Sequence, residues 1–398
     1  MNTQRITRYE TKRIAEDACY VYTEDHNTVH KSALTYSRVH RRMFERIADD
    51  MMRSRVTHEG RLFELLGTAW GSLASVVHQM NWLAWLVATN ENDAFKFGRR
   101  EDGKLIRVEE MALGRYYALL YVLVRAVFDD ELALDRFILT PYAEVFRDVV
   151  KYYADKVPVL LDCFAKLPIF FNTDVQRFCG EIANELFTLI RREAKLRCVD
   201  DEISARKAIG EHRMQRMTSF RDQCLSSCPV LKVITLECAF RPTGQAGDWV
   251  PLTIDNAKQY HSVFVNRLRG RAKFRDIAVG GIWSLAWGEH KGHHFRWIFM
   301  LDTFQVSESA YAVNLIKDIW TRVVPDNQGL VHFREEYNVC SVGYAESFAE
   351  EHVEMEVLDD ELRFHALKDL YIQHNDAEGV RAWGTCVPAY ARKSRQDR

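Results

Sequence analysis

The sequence predicts an α+β protein in which an all-helical N-terminal domain precedes a C-terminal domain with a largely antiparallel sheet. In the first half, long stretches carry apolar residues three and four positions apart, the spacing of a helix with one buried face. After residue 230 the chain changes to short β-branched and aromatic runs. Their order (strand, helix, strand, strand, helix, strand, helix) is typical of a compact α+β domain.

Helical apolar spacing in the first half covers residues 61–89, 108–129, 141–156 and 174–198. Thr140 before Pro141 predicts one helix start, and Asn172 with Asp174 predicts another. A short polar side chain can cap a first helical turn, and proline fits inside that turn. The polar, glycine-containing stretch 91–103 predicts a loop.

The second half alternates predicted strands and helices. The strands are expected at 231–240, 279–287 and 295–301, with a further one around 339–342, and the helices at 255–268, 309–323 and 360–374. The charged stretch 199–223 predicts a helix or connector. We therefore expect a helical domain over 1–215, a sheet domain over 225–392 and a basic tail at 393–398.

The composition limits the classes of protein that are compatible with this sequence. The formal net charge of the 398 residues is -2, so any binding of nucleic acid must use a local basic patch. The nine cysteines are scattered without a Cys-x-x-Cys pair, which favours reduced thiols over disulfides or a zinc site. The N-terminus lacks an apolar signal core, and the uncharged stretch 65–90 contains polar residues that suit a buried helix better than a membrane span. We expect a cytoplasmic protein with no membrane contact.

Residues 288–301 join a histidine-rich turn to an apolar strand. Side chains two apart share a face of a strand, so His294 and Arg296 should point the same way, with the aromatic residues beside them on the other face. Two imidazoles at this spacing can bind one divalent metal ion, but arginine cannot be a ligand. Glu289 and Glu237 are candidate carboxylate ligands beside His294, a set that suits Mg²⁺ or Mn²⁺ weakly. The alternative is a polar loop that meets a strand and holds no metal.

The predicted helix over 360–374 contains a candidate nucleophile. Residues three and four apart on a helix are neighbours, so Lys368, Tyr371 and His374 would share a face. Cationic neighbours stabilise a phenolate and make Tyr371 a plausible nucleophile. The alternative is a half-buried core tyrosine.

A basic run occupies alternate positions of residues 267–275. Its members are Arg267, Arg269, Arg271, Lys273 and Arg275. An extended run would face one side and could track a phosphate backbone, whereas a helical run would be spread around the axis as a solvated helix end. Residues 346–361 hold eight acidic side chains in sixteen, so we expect a confined nucleic-acid groove or none.

Six short motifs occur in a fixed order over residues 230–392. They are Gly281-Ile-Trp283, Trp287-Gly-Glu289, Gly292-His-His294-Phe-Arg296, Ile319-Trp320, Tyr371-Ile-Gln-His374 and Arg381-Ala-Trp383. Their order and spacing resemble the C-terminal domain of the inovirus (filamentous phage) replication proteins, the YagK/YfjJ-like family of phages and prophages. That family is similar to the His-hydrophobic-His (HUH) nucleases that start rolling-circle replication.

The resemblance implies an RRM- or HUH-nuclease-like domain and a set of roles. In HUH nucleases two histidines and a third polar ligand hold a divalent cation that polarises the scissile phosphate, and a tyrosine attacks to leave a 5′-phosphotyrosine. By resemblance, His294 is the first metal histidine and Tyr371 the nucleophile. Glu289 is a third ligand or a supporting carboxylate, and Arg381 is a DNA contact.

Two positions depart from the family pattern. Arg296 stands where the second histidine belongs, and His374 stands where the family has lysine. A permanent cation repels a metal ion, but its guanidinium fork can contact phosphate oxygens directly. His293 could supply the missing imidazole only through a β-bulge, because strand alternation places it on the other face.

Three functional hypotheses follow. The first is a phage- or prophage-type replication initiator that binds single-stranded or origin DNA and nicks and rejoins it with Mg²⁺ or Mn²⁺, in contact with host replication proteins. The second is an inactive DNA-binding derivative that acts as a replication accessory, regulator or phage-defence factor. The third is a helical scaffold or interaction protein.

Overall fold

The structure is a computed structural model. It describes residues 19–22, 40–49, 53–58, 61–66, 70–99, 101, 105–241, 252–288, 292–306, 308–341 and 351–386. The described residues form two compact units. The first lies within Met1–Arg46 and Ser72–Ser204, and the second lies within Ile47–Gly71 and Ala205–Arg398.

Helices and strands occur in both units. The helices are α1 (Trp70–Ala88), α2 (Tyr117–Val127), α3 (Pro141–Lys156), α4 (Leu160–Phe164), α5 (Cys179–Leu196), α6 (Val199–Ser227), α7 (Ile254–Gly270), α8 (Ala272–Ile277), α9 (Ser309–Val323) and α10 (Glu351–Leu367). The strands are β1 (Cys19–Tyr22), β2 (Arg53–His58), β3 (Arg61–Leu66), β4 (Phe95–Arg99), β5 (Leu105–Glu110), β6 (Phe137–Leu139), β7 (Phe171–Asn172), β8 (Arg177–Phe178), β9 (Val230–Phe240), β10 (Ala278–Gly288), β11 (Gly292–Asp302), β12 (Gly329–Cys340), β13 (Ile372–His374) and β14 (Trp383–Cys386). The part of the chain that the structure describes contains no helix that is both long and apolar enough to cross a membrane.

The first unit is mainly helical, as predicted, and most of its buried side chains come from helices, although Phe95 of β4, Val108 of β5 and Leu139 of β6 are buried as well. A small sheet of order β1-β5-β4 is attached to these helices. Asn184 of α5 holds this sheet in place. Its side-chain oxygen accepts from the backbone N–H groups of Ala94 and Phe95, and its amide donates to the Phe95 carbonyl.

Several boundaries in the first half of the chain differ from the prediction. The helices expected over 61–89 and 108–129 are each preceded by a strand, β3 and β5 respectively, and the expected loop 91–103 contains β4. Short apolar runs do not distinguish a strand from a buried helix turn, which explains these errors. Asn172 does not start a helix. Its side-chain oxygen instead accepts from the backbone N–H of Asp174, and α5 begins only at Cys179.

The second unit contains the antiparallel sheet that the sequence predicts, and this sheet has five strands. Its order is β12-β9-β11-β10-β14, and every neighbouring pair is antiparallel. The predicted order of strands and helices from β9 to α10 is confirmed, with α8 as a short addition after α7.

Helices cover both faces of this sheet. On one face α7, α8 and α9 pack around a core rich in aromatic residues, including Phe264, Trp297 and Trp320. On the other face α10 and the later part of α6 pack against Val233, Ile298 and other aliphatic residues. Because side chains alternate along a strand, β11 sends its aromatic residues to the first face and its even-numbered residues to the second.

Candidate functional site

The central strands align the polar residues of the candidate site in one row. Arg296 of β11 lies directly opposite Glu237 of β9 and Ser284 of β10. Glu237 in turn lies opposite His332 of β12. Residues directly opposite in an antiparallel sheet have Cβ atoms about 4.5–5.5 Å apart, so the row forms one continuous polar strip across the sheet.

A charged cluster is buried on the face that α10 covers. Glu237, His294 and Arg296 are 1%, 0% and 6% exposed. Nη2 of Arg334 donates to Oε2 of Glu237 at 2.7 Å, and Nε2 of His294 lies 3.9 Å from the same oxygen. His294 and Glu237, two of the expected metal ligands, therefore lie close together. Burial of such charge is tolerated because the carboxylate has a cationic donor.

The ring of His294 is oriented by the strand that carries it. Its Nδ1 lies 3.1 Å from the carbonyl oxygen of Gly292. A carbonyl oxygen only accepts, so this hydrogen bond requires the proton on Nδ1 and turns Nε2 towards Glu237.

Arg296 is held by an aromatic side chain of the covering helix. Its guanidinium carbon lies 5.1 Å from the ring centroid of Phe364 in α10. A cation over a ring face is stabilised by the ring quadrupole, and more so away from water. The arginine thus places a permanent positive charge in the middle of the polar strip.

This donor set does not fit the divalent cation that the resemblance implies. The Glu237 oxygen nearest His294 already accepts from Arg334, and Arg296 lies directly opposite Glu237. Each unit charge repels a like unit charge 4 Å away by about 4 kcal/mol at an effective dielectric of about 20, and a divalent ion more. The third proposed ligand, Glu289, lies outside the described residues.

The predicted helix over 360–374 is wrong in its second half. Helix α10 ends at Leu367, a 3₁₀ turn covers Lys368–Leu370, and β13 follows at Ile372. Tyr371 therefore does not share a helix face with Lys368 and His374. Tertiary contacts override the helical spacing here. The carboxylate of Asp369, within the 3₁₀ turn, is buried and lies 3.6 Å from Arg213 of α6.

Tyr371 is half-buried, and burial raises the pKa of its phenol. A nucleophilic phenolate needs the opposite shift. The phenolate stabilisation expected from flanking cations is thus opposed by the surroundings of Tyr371.

A second group of ligand-type side chains lies at the end of the β10–β11 hairpin, on the aromatic face. Nε2 of His293 lies 4.0 Å from Oδ2 of Asp376, and Nδ1 of His374 lies 3.6 Å from the same atom. Trp287 stacks on His374 with ring centroids 4.9 Å apart. Burial, and then His374, lower the pKa of His293 to about 4, while Asp376 acts in the opposite direction. His293 is therefore a neutral imidazole at pH 7.

The basic run is helical and is therefore not a single extended stripe. Arg267 and Arg269 lie in the last turns of α7, Arg271 lies between the helices, and Lys273 and Arg275 lie in α8. Arg267, Arg271 and Lys273 are exposed. All five lie on the helical layer that covers the aromatic face, across the sheet from His294 and Arg296.

Arg381 belongs to the same side of the sheet. It is exposed, its Nε donates to the Trp383 carbonyl at 2.9 Å, and its guanidinium carbon lies 5.8 Å from the ring centroid of Trp283. Trp283 packs against the aromatic core. The predicted DNA contacts thus lie on the aromatic side of the sheet, whereas His294, Arg296 and Glu237 lie on the α10 side.

Three site residues escaped the sequence analysis: Arg334, Phe364 and Asp376. Arg334 falls at an irregularity in β12, a strand of which only the end was predicted, so nothing in the sequence brought its side chain to Glu237. Asp376 offered a signal, because a carboxylate two residues after His374 is a possible co-ligand.

No protein-family model, curated protein or solved structure matches this chain.

Proposed function

We propose that the second unit binds single-stranded DNA and does not nick it at His294 and Arg296. One observation carries the proposal. The exposed cations lie on one side of the sheet, whereas His294 and Arg296 lie on the other side and are covered by α10.

The burial of the charged cluster supports the loss of nicking. A scissile phosphate must reach the metal and the nucleophile, whereas His294 and Arg296 are enclosed between β11 and α10. The Glu237 carboxylate is engaged by Arg334 rather than by a cation. These side chains act here as a buried ion cluster that fixes α10 on the sheet.

The exposed cations support the DNA-binding role. Arg267, Arg271 and Lys273 project from α7 and α8, and the Arg267 guanidinium donates to the carbonyl of Arg322 at 3.2 Å, which brings α9 beside them. Lysine and arginine side chains bind a phosphate backbone without reading its sequence. The guanidinium of Arg381 lies over the ring of Trp283 and adds a further cation beside an aromatic side chain.

The cellular role follows from the resemblance to inovirus replication proteins. A DNA-binding derivative of a replication initiator would serve as a replication accessory, regulator or phage-defence factor that acts on origin DNA and host replication proteins. The thiols support a cytoplasmic location, because none of the eight cysteines whose side chains the structure describes is in a disulfide.

Fluorescence anisotropy with a labelled single-stranded oligonucleotide tests the binding. A variant with Arg267, Arg271 and Lys273 changed to Gln should bind at least tenfold more weakly at moderate salt. The slope of log K against log salt should also fall by about 0.7 per lost contact. The matched control changes three exposed cations of the first unit, Lys96, Arg125 and Arg136, to Gln. Equal losses in both triple variants, or no saturable binding by the wild type, would refute the binding role.

Denaturing gels after incubation with the same DNA and Mn²⁺ test the nicking. We expect no covalent protein–DNA adduct from either the wild type or Tyr371→Phe. An adduct formed by the wild type and absent from Tyr371→Phe would show an active nuclease and overturn this part of the proposal.

A further inference from the structure

Three side chains that can bind a metal converge beside the end of the β10–β11 hairpin. One imidazole nitrogen each from His293 and His374 and one carboxylate oxygen from Asp376 all lie within 4.8 Å of one another. They come from β11, from β13 and from the 3₁₀ turn Asn375–Ala377 that follows β13. The fold thus brings His293 to two residues that lie far from it in the sequence. A local polar loop would bring together only residues that are neighbours in the sequence.

The surrounding structure fixes these side chains. Trp287 lies opposite His293 in the hairpin, and its indole stacks on the ring of His374 at an interplanar angle of 19°. Nδ1 of His374 accepts a long hydrogen bond, 3.4 Å, from the backbone N–H of Asp376. Its lone pair therefore already points towards the residue that supplies the carboxylate.

His293 is the buried member of the group. Its side chain is 4% exposed, and among the described residues no group makes a hydrogen bond to either ring nitrogen. A buried polar group without a hydrogen bond costs about 1–3 kcal/mol. A bond from Nε2 to a metal ion would satisfy this nitrogen.

We propose that His293, His374 and Asp376 bind one divalent transition-metal ion of the zinc class. Two imidazoles and one carboxylate suit Zn²⁺ and its neighbours in the first transition row better than Mg²⁺ or Mn²⁺, which prefer oxygen ligands. Three protein ligands leave the fourth tetrahedral position to water. The site differs from the one the resemblance implies, since it lies on the opposite face of β11 and uses neither His294 nor Glu237.

The distances allow binding after a small closure of the side chains. Ligands at about 2.0–2.2 Å from a tetrahedral zinc ion lie about 3.4 Å apart. The 3.6 Å separation of His374 from Asp376 is near this value, and the 4.0 Å separation of His293 from Asp376 requires a shift of about half an ångström. The ligand atoms of His293 and His374 lie within 4.8 Å of each other, so this pair closes by about 1.4 Å at most. The Asp376 side chain is 62% exposed, so it can move to the ion and leaves a route for the ion to enter.

To test the site, the full-length protein is first stripped of metal with a chelator. Its affinity for Zn²⁺ is then measured by competition with a chromophoric chelator. We expect one equivalent of Zn²⁺ per chain, a higher Tm with zinc, and a tetrahedral Co²⁺ spectrum on substitution. Asp376→Asn and His374→Gln should each weaken binding at least tenfold. Asp376 is exposed, so the loss in Asp376→Asn does not reflect unfolding.

His294, next to His293 in β11 but on the opposite face of the strand, supplies the control. His294→Gln should keep the zinc stoichiometry and affinity of the wild type. Unchanged affinity in Asp376→Asn and His374→Gln, or no binding by the wild type, would overturn the site. Loss of binding only in His294→Gln would instead place the metal on the α10 face. These measurements use no DNA, so their outcome is independent of the proposed function.

Discussion

At the residue scale, the buried ion cluster shows how charge is tolerated inside this sheet. Glu237 is almost inaccessible, and its carboxylate accepts from Arg334, whose side chain is 34% exposed. A charge-assisted hydrogen bond to a buried carboxylate is worth more than a surface ion pair because water competes less for it.

Loss of the Arg334 donor should destabilise the second unit. We expect Arg334→Gln to lower the free energy of unfolding by about 2 kcal/mol, since a hydrogen bond to a buried charge is removed. Arg322→Gln is the control, because it removes a 2.8 Å ion pair to Asp318 from a side chain that is 67% exposed, and it should cost less than about 1 kcal/mol. Urea unfolding of both variants measures the difference, and equal effects would contradict this account.

His261 should make stability depend on pH. Its ring stacks on Phe295 with centroids 3.8 Å apart, and burial, followed by the nearby charge of Arg381, lowers its pKa to about 3. Between pH 6.5 and 3 the unfolded chain binds a proton that the folded protein excludes. Stability therefore falls with falling pH, by about 1.4 kcal/mol per pH unit.

The variant His261→Phe removes this titration. Between pH 6.5 and pH 5 we expect the wild type to lose about 2 kcal/mol more unfolding free energy than the variant does, from urea titrations at each pH. Other buried histidines contribute equally to both proteins, so an identical pH dependence would exclude His261 as the cause.

At the element scale, β9, β10 and β11 were predictable, whereas β14, most of β12 and the end of α10 were not. The near-continuous apolar runs of β9, β10 and β11 follow from a sheet buried on both faces, and this pattern is local. The change from α10 to a 3₁₀ turn and β13 depends on Asp369 and its approach to Arg213, a contact between distant residues that no local pattern records.

The edge strand β14 offers a test of packing at this scale. A Cβ atom on Gly384 would lie 2.8 Å from three atoms of the Trp283 indole, and Trp283 is itself held by His261 at a centroid distance of 4.4 Å. Gly384→Ala should therefore cost about 1–3 kcal/mol.

Gly270 at the end of α7 provides the matched substitution. A Cβ atom there meets nothing within 4 Å, so Gly270→Ala should cost nothing and could gain up to about 1 kcal/mol from helix propensity. Thermal unfolding of the two alanine variants makes the comparison. A stability of Gly384→Ala equal to the wild type would mean that Trp283 can move aside.

At the scale of the whole molecule, the sequence predicted the mixed α and β class but not how its candidate residues divide between the sheet faces. Strand alternation correctly placed His294 and Arg296 together. The basic run carried two alternatives, and the helical one is found. Its position across the sheet from Arg296 depends on which helix packs on which face, which the spacing of residues along the chain does not encode.

The distribution of thiols gives a prediction for the whole chain. Of the eight cysteines with described side chains, Cys198 is exposed and the other seven are buried. In a Cys19→Ser background, a maleimide should modify Cys198 rapidly under native conditions and the other cysteines only after unfolding. Peptide mass spectrometry identifies the modified positions, and rapid native labelling of a buried cysteine would contradict the packing described above.

The permanent charge of Arg296 has a consequence for how the two faces of β11 respond to metal ions. A guanidinium cannot dissociate from the chain, be removed by a chelator or lose its proton in the physiological range. The positive charge under α10 is therefore part of the amino-acid sequence and is present in every copy of the protein. The group around His293, three residues before Arg296, has no such permanent positive charge. When the metal ion is scarce, the two faces should therefore differ. The charge on the α10 face stays the same, whereas the fraction of hairpin sites that hold an ion falls with the ion concentration.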